Sequence, residues 1–128
     1  MDYEAYIASY NDHDDAATLN RFFAEDVIVD GPDGRHLGRD AFLRVLSFIH
    51  DDVDEDLLPQ LILRDGNHMM VETDAVFTAK RDRPEFPFKP LVAGEVLKMK
   101  FFAVYHLRDG KVAHFKLSCW LPAMRSVD

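Results

Sequence analysis

The stretch GEVLKMKFFAVYHLRDGKVAHFKLSCW, from Gly94 to Trp120, constrains this chain more than any other. Two alternating apolar runs meet at Asp109-Gly110, and Asp-Gly between such runs is the strongest short-range signal for a β-hairpin. Register then decides which side chains share a face, because a slip of one residue exchanges the two faces of a strand. A two-residue turn sets Lys116 opposite Ala103 and His114 opposite Tyr105, mixing charge into an apolar face. A three-residue turn with Gly110 in the left-handed conformation instead groups Met99, Phe101, Ala103 and Tyr105 with Phe115, Leu117 and Cys119, and this is the expected register. The other face then carries Lys98, Lys100, His106, His114, Lys116, Ser118 and Trp120, and meets water or a second subunit.

Bulk properties bound the rest. With 128 residues, the chain reads as one domain, 1–128, able to bury about two-thirds of its unfolded surface and still enclose a modest cavity. The formal net charge of −8 argues against nucleic acid, whose phosphates are met by Lys and Arg, and disfavours an anionic membrane surface. The partners left are a small apolar molecule and a second copy of the chain. Cys119, the single cysteine, cannot form an intrachain bridge, which fits a reducing, cytoplasmic setting; its place in a strand pattern marks it as core. The opening MDYEAYIASY has neither a basic flank nor a long apolar run, so neither a signal peptide nor a membrane-spanning helix is expected. The six histidines show no standard ligand spacing, and neither a metal nor a cofactor is expected.

Along the chain, Tyr3, Tyr6, Ile7 and Tyr10 fall at helical spacing and form one aromatic stripe over residues 3–11. Their hydroxyls either lie at the rim of a packed face or point one donor into a cavity. The segment Asn11 to Asp14 breaks this helix; Asp12 or Asp14 caps the next, whose buried side is marked by Ala16, Leu19, Phe22 and Phe23. A short strand over 27–30 runs into the turn-rich Gly31-Pro32-Asp33-Gly34. Asp30 at its end either faces a cavity mouth or bonds nearby backbone amides as turn chemistry. A third helix spans 39–50, with Phe42, Val45, Leu46 and Ile49 on one face. The following run from His50 to Asp56 is so acidic that a solvated connector is expected.

Strands are expected over 58–64 and 68–80. In the second, Met69, Val71, Thr73, Ala75 and Phe77 form one face, while Glu72 and Asp74 would pair with Lys98 and Lys100 on the other. Pro84, Pro87 and Pro90 exclude a central strand between Arg81 and Val92. With Phe86 and Phe88 that segment forms either a lid over a pocket or an extended hairpin connection. The last residues, Met124 to Asp128, read as a frayed end.

Several of these stretches carry a resemblance: the aromatic first helix YIASYN, Asp14, FFAEDV at 22–27, the Gly-Arg-Asp-Ala-Phe start of the third helix at 38–42, and YHLRDGKV at 105–112. Over nearly its whole length the chain resembles the nuclear transport factor 2-like superfamily, in its SnoaL-like and ketosteroid-isomerase-like branch. The resemblance implies an α+β fold: a cone-shaped, strongly curved antiparallel sheet wrapped around three N-terminal helices, with an apolar pocket inside. It also implies a homodimer through the outer sheet face, where Phe102, Val104 and Trp120 stand among lysines and histidines. Ketosteroid isomerases use a tyrosine on the first helix, an aspartate base after the first strand and a neutral acid on a long strand. Tyr6 falls on the tyrosine position. Gly31 falls on the base position, with Asp30 one residue earlier, and Ala103 on the second acid. The aspartate that related cyclases place after the hairpin is replaced here by Ser118-Cys119-Trp120.

Two functions follow as expectations. In the first, an isomerase, cyclase or dehydratase transfers protons on a cyclic carbonyl-type substrate, with Asp30 as base and Tyr6 or Tyr105 as donor to an enolate-like oxygen across one cavity. The expected ligand-binding positions are Tyr10, Met69, Val71, Phe77 and Met99, followed by Phe101, Phe115, Leu117 and Cys119. In the second, the same fold is a non-catalytic ligand-binding or assembly domain.

Overall fold

A computed structural model describes residues 1–120. Its elements run α1 (Tyr3–Asn11), α2 (Asp15–Phe22), β1 (Phe23–Gly31), β2 (Gly34–Leu37), α3 (Arg39–Ile49), β3 (Val53–Asp65), β4 (His68–Ala79), β5 (Val96–Arg108) and β6 (Lys111–Trp120). The expectation for Met124 to Asp128 lies outside the described residues. The first two helices start where a carboxylate takes up an unpaired amide. Asp2 accepts from the Ala5 amide at 3.2 Å and Asp14 from the Ala17 amide at 3.1 Å.

The strands form one six-stranded curved sheet in the order β2-β1-β6-β5-β4-β3. Every neighbouring pair is antiparallel except β1 and β6, which run parallel with Val29 opposite Phe115. The helices cover the face carrying Tyr105 and Phe115. Tyr6 of α1 stacks edge-on to Tyr105 at 6.1 Å between ring centroids, and Phe42 of α3 lies 5.8 Å from Phe115. Phe23, Val27 and Val112 are fully buried in this core. No helix among the described residues is long and apolar enough to cross a membrane.

The hairpin keeps the expected faces but reaches them differently. Its turn has two residues, Asp109 at φ 52° and Gly110 at φ 78°, so Arg108 pairs with Lys111 and Leu107 with Val112. Two successive left-handed residues are what Asp-Gly supplies most readily. A bulge at Ala113 then shifts the register, pairing Tyr105 with Phe115, Ala103 with Leu117 and Phe101 with Cys119. The extra residue resolves the conflict between turn chemistry and the apolar face. On the opposite face, Lys100 meets Glu72 at 2.7 Å and Asp74 at 2.8 Å, and Lys98 meets Asp74 at 3.4 Å, as the alternation predicts.

Other boundaries differ from expectation. Phe23 begins β1 rather than ending a helix, and the turn-rich segment after it carries a strand, β2, paired to β1 with Asp30 opposite Arg35. Ala16 is exposed, and Thr18 takes its place on the buried side of α2. The largest departure is β3, which starts inside the acidic run. Val53, Glu55 and Leu57 point inward at 1%, 4% and 5% exposure, and Asp54 and Asp56 turn outward. Strand parity prevails over charge there, because each residue's face is set by its neighbours in the ladder.

The connection between β4 and β5 is closed by an Arg83–Leu91 bridge. The Arg83 side chain is fully buried. Its guanidinium donates to the carbonyls of Phe48 at 2.9 Å and Ile49 at 3.4 Å, and to that of Asp51. Phe48 and Ile49 end α3 and Asp51 follows its cap, so one side chain both caps the helix end and pins the connection beside it.

Candidate active site

Between the helices and the inner face of the sheet lies a cavity of about 460 Å³, within the range of small-molecule pockets. Its walls are aromatic, supplied by Phe42, Phe77, Phe101 and Phe115 together with Tyr6, Tyr10 and Tyr105. Exposed lining residues mark the mouth: Pro32 and Asp33 from the β1–β2 turn, Phe48 from α3 and Pro87 from the β4–β5 connection. The Asp33 carboxylate there bonds His36 Nε2 at 2.8 Å. The connection thus borders the opening, with Phe88 also on the lining and 5.7 Å from Phe77.

Glu55 is the one buried acidic residue among those described, and it lines the cavity. Tyr10 Oη donates to its Oε1 at 2.7 Å, and His50 Nε2 donates to the same oxygen at 2.7 Å. The other imidazole nitrogen, Nδ1, lies 2.7 Å from Asp15 Oδ2. No buried side-chain oxygen or nitrogen among the described residues lacks a partner. Among the described residues Oε2 of Glu55 has none, and since Glu55 lines the cavity this oxygen is the one left to face it. Burial pulls the His50 imidazolium down, but hydrogen bonds and charge attraction from Asp15 and Glu55 outweigh it and hold the group at about 9.

The tyrosines form a second polar group. Tyr3 Oη lies 3.2 Å from Tyr105 Oη, and Tyr6 packs against both rings. Burial pushes the Tyr3 phenol up to about 12 and raises those of Tyr6, Tyr10 and Tyr105 well above their ordinary range. They are therefore neutral at physiological pH; the Tyr10 hydroxyl donates to Glu55, and Tyr6 and Tyr105 are the remaining phenols on the cavity wall.

The expected residues divide. Tyr6, Tyr10, Tyr105, Phe77, Phe101, Phe115 and Leu117 all line the cavity. Met69, Val71 and Met99 face inward at 1%, 3% and 1% exposure but are consumed in core packing, since an inward side chain borders a hollow only where no neighbour fills the space. Cys119 is half-buried and also lies off the lining.

Asp30 is a correction. Val27 and Val29 occupy the inner parity of β1, so Asp30 points to the opposite face and Gly31 borders the cavity instead. There Arg35 Nε holds its Oδ1 at 2.7 Å and His114 Nε2 its Oδ2 at 2.7 Å. The Arg35 guanidinium, followed by His114, holds this carboxyl well below the usual carboxylate range. A carboxylate so paired, on the far side of the sheet from the tyrosines, is not placed to take a proton across the cavity.

Glu55 and His50 were the residues that local reading missed. Their signal was the alternation Val53-x-Glu55-x-Leu57, hidden in a run whose charge suggested solvent. Among the described residues no cluster of three or more metal-ligating side chains occurs.

Residues 3–115 match the SnoaL-like domain family. Among solved structures, a candidate polyketide cyclase from Xanthomonas campestris pv. campestris superposes with a TM-score of 0.76 at 25% identity, over 90% of this chain and 84% of that one. The candidate polyketide cyclase IdmH from Streptomyces antibioticus gives 0.73 at 19% identity, over 93% and 92%. A candidate hydroxylase from Streptomyces galilaeus, AclR, gives 0.72 at 14% identity, over 91% and 75%, and at such identities the likeness is one of fold. No curated protein matches the sequence significantly.

Proposed function

This chain belongs to the SnoaL-like domain family, and from that premise we propose that it is an isomerase or cyclase that moves a proton on a flat, largely apolar carbonyl compound. The supporting observation is the one buried carboxylate among the described residues, Glu55, with one oxygen held by Tyr10 and His50 and the other left to face an aromatic cavity. Glu55 Oε2 takes a proton from carbon beside the substrate carbonyl. The electron pair of the broken C–H bond moves onto the carbonyl oxygen, which accepts a hydrogen bond from Tyr6 or Tyr105. Neutral phenols in a water-poor site stabilise such an oxyanion without surrendering their protons. The proton then returns from Glu55: in an isomerisation to a different carbon, and in a cyclisation, where the enolate carbon attacks a second carbonyl carbon and the enolate oxygen reverts to a carbonyl, to the alkoxide oxygen formed on that second carbonyl.

Exchange of α-hydrogens for solvent deuterium in a panel of cyclic and polycyclic ketones, followed by mass spectrometry, tests this reading. Wild type is expected to catalyse exchange on at least one member, and Glu55→Gln to lose it by at least about a hundredfold while still binding that ketone in calorimetry. Binding without exchange by wild type supports the non-catalytic alternative. Full exchange by Glu55→Gln removes Glu55 from the mechanism.

A further inference from the structure

We infer that Asp15 and His50 are positioning residues that fix the Glu55 carboxylate so that a single oxygen faces the cavity, an inference that rests on Glu55 being the proton-transfer group. Four elements meet at this point: Tyr10 comes from α1, Asp15 from α2, His50 from the end of α3 and Glu55 from β3. Side-chain exposures of 14% for His50, 15% for Asp15 and 4% for Glu55 place all three largely out of water.

The geometry leaves the carboxylate little freedom. His50 has two ring nitrogens, each engaged at 2.7 Å by a carboxylate oxygen, so the ring cannot turn without losing a bond. Oε1 of Glu55 receives both His50 and Tyr10, and rotation of the carboxylate would strand two donors. Only a doubly protonated imidazole satisfies both acceptors, because a neutral ring would set a lone pair against one of them. Local backbone dipoles favour this arrangement. Asp15 lies in the first turn of α2, where negative charge is stabilised, and His50 is the C-terminal cap of α3, where positive charge is. The charged or titratable groups facing His50 are Asp15, Glu55 and Tyr10, from the three elements packed around it. The elevated affinity of His50 for its proton agrees with the same picture.

The pair therefore acts on the reaction through Glu55 and not on the substrate. Removing Asp15's charge leaves His50 and Glu55 present but frees the imidazole to lose a proton and to turn. The experiment uses the full chain. Nitrogen-15 spectra of the His50 ring are followed from pH 5 to 10 in wild type, Asp15→Asn and Glu55→Gln, beside kcat and KM for whichever ketone exchanges.

The wild-type ring is expected to carry both protons at pH 7.5. In Asp15→Asn the His50 midpoint is expected to fall by at least about one pH unit. At pH 8 kcat should fall about tenfold or more with KM changed less than about twofold, and recover as the pH is lowered. A neutral His50 ring in wild type at pH 7.5 overturns the inference without any variant having to fold. So does a shifted midpoint with unchanged kcat, which leaves Glu55's own role standing. If Glu55→Gln exchanges as well as wild type, the reading beneath the inference fails instead.

Discussion

Raising the pH from 6 to 10 takes the proton from His50, and the folded protein holds that proton more tightly than the unfolded chain does. The folded value is about 9 against an ordinary 6.5, and a difference of that size corresponds to about 3 kcal/mol of stability. Because the folded value is the higher, this contribution is complete below about pH 6.5 and is lost as the pH rises through about 9. Between pH 7 and 8.5 the unfolded imidazole is largely neutral and the folded one largely charged. Stability should therefore fall by about 1.4 kcal/mol per pH unit. The burial pushing up the Cys119 thiol acts in the same direction, but its ordinary value of 9.0 places that effect at higher pH. Urea unfolding at half-unit pH intervals, followed by circular dichroism at constant m-value, measures the slope. His50→Gln should flatten it in the same window. A wild-type stability that is level or rising from pH 7 to 8.5 would refute the buried imidazolium and the orientation argued from it.

Two further outcomes are expected. Arg83→Ala removes a donor from the carbonyls of Phe48, Ile49 and Asp51 and opens a void, costing about 2–4 kcal/mol in chemical denaturation. Amide exchange in residues 81–92 should quicken with it, and a loss below about 1 kcal/mol would show that the connection is held by its prolines and aromatics alone. The outer sheet face exposes Met70, Trp120 and part of Phe102 at 57%, 59% and 36%, and we propose that it joins two copies of the chain. Sedimentation equilibrium should find a dimer in wild type and a monomer in Trp120→Glu with unchanged far-ultraviolet dichroism. A monomeric wild type, or a dimeric variant, removes the proposal.

Much of the inner surface was legible because alternation is local. Met69 to Phe77 and Met99 to Tyr105 are each inward on every second residue, and the Glu72 and Asp74 pairings with lysine follow from the same parity. The site was legible only in part. The aromatic stripe of α1 announced Tyr6 and Tyr10, but the acidic composition of 50–56 concealed Glu55. Its bonding partner Tyr10 lies 45 residues away, and Asp15 lies 35 residues from His50, so no short window contains the reason for burying a carboxylate. Asp30 misled in the opposite sense. A carboxylate at a strand end suggested a cavity mouth, whereas the pairing of β1 with β2 and β6 supplied Arg35 and His114 on the other face.

The amino-acid order alone determined the helix stripes, the two-faced strands, the Asp-Gly reversal and the α+β class, since each depends on side chains within a few residues of one another. Only the tertiary structure decided the parallel contact of β1 with β6, the bulge at Ala113, which inward side chains border empty space, and which acid is buried. Those features depend on which distant elements come together: a hollow is space that no neighbour fills, and a buried charge persists only where remote partners satisfy it.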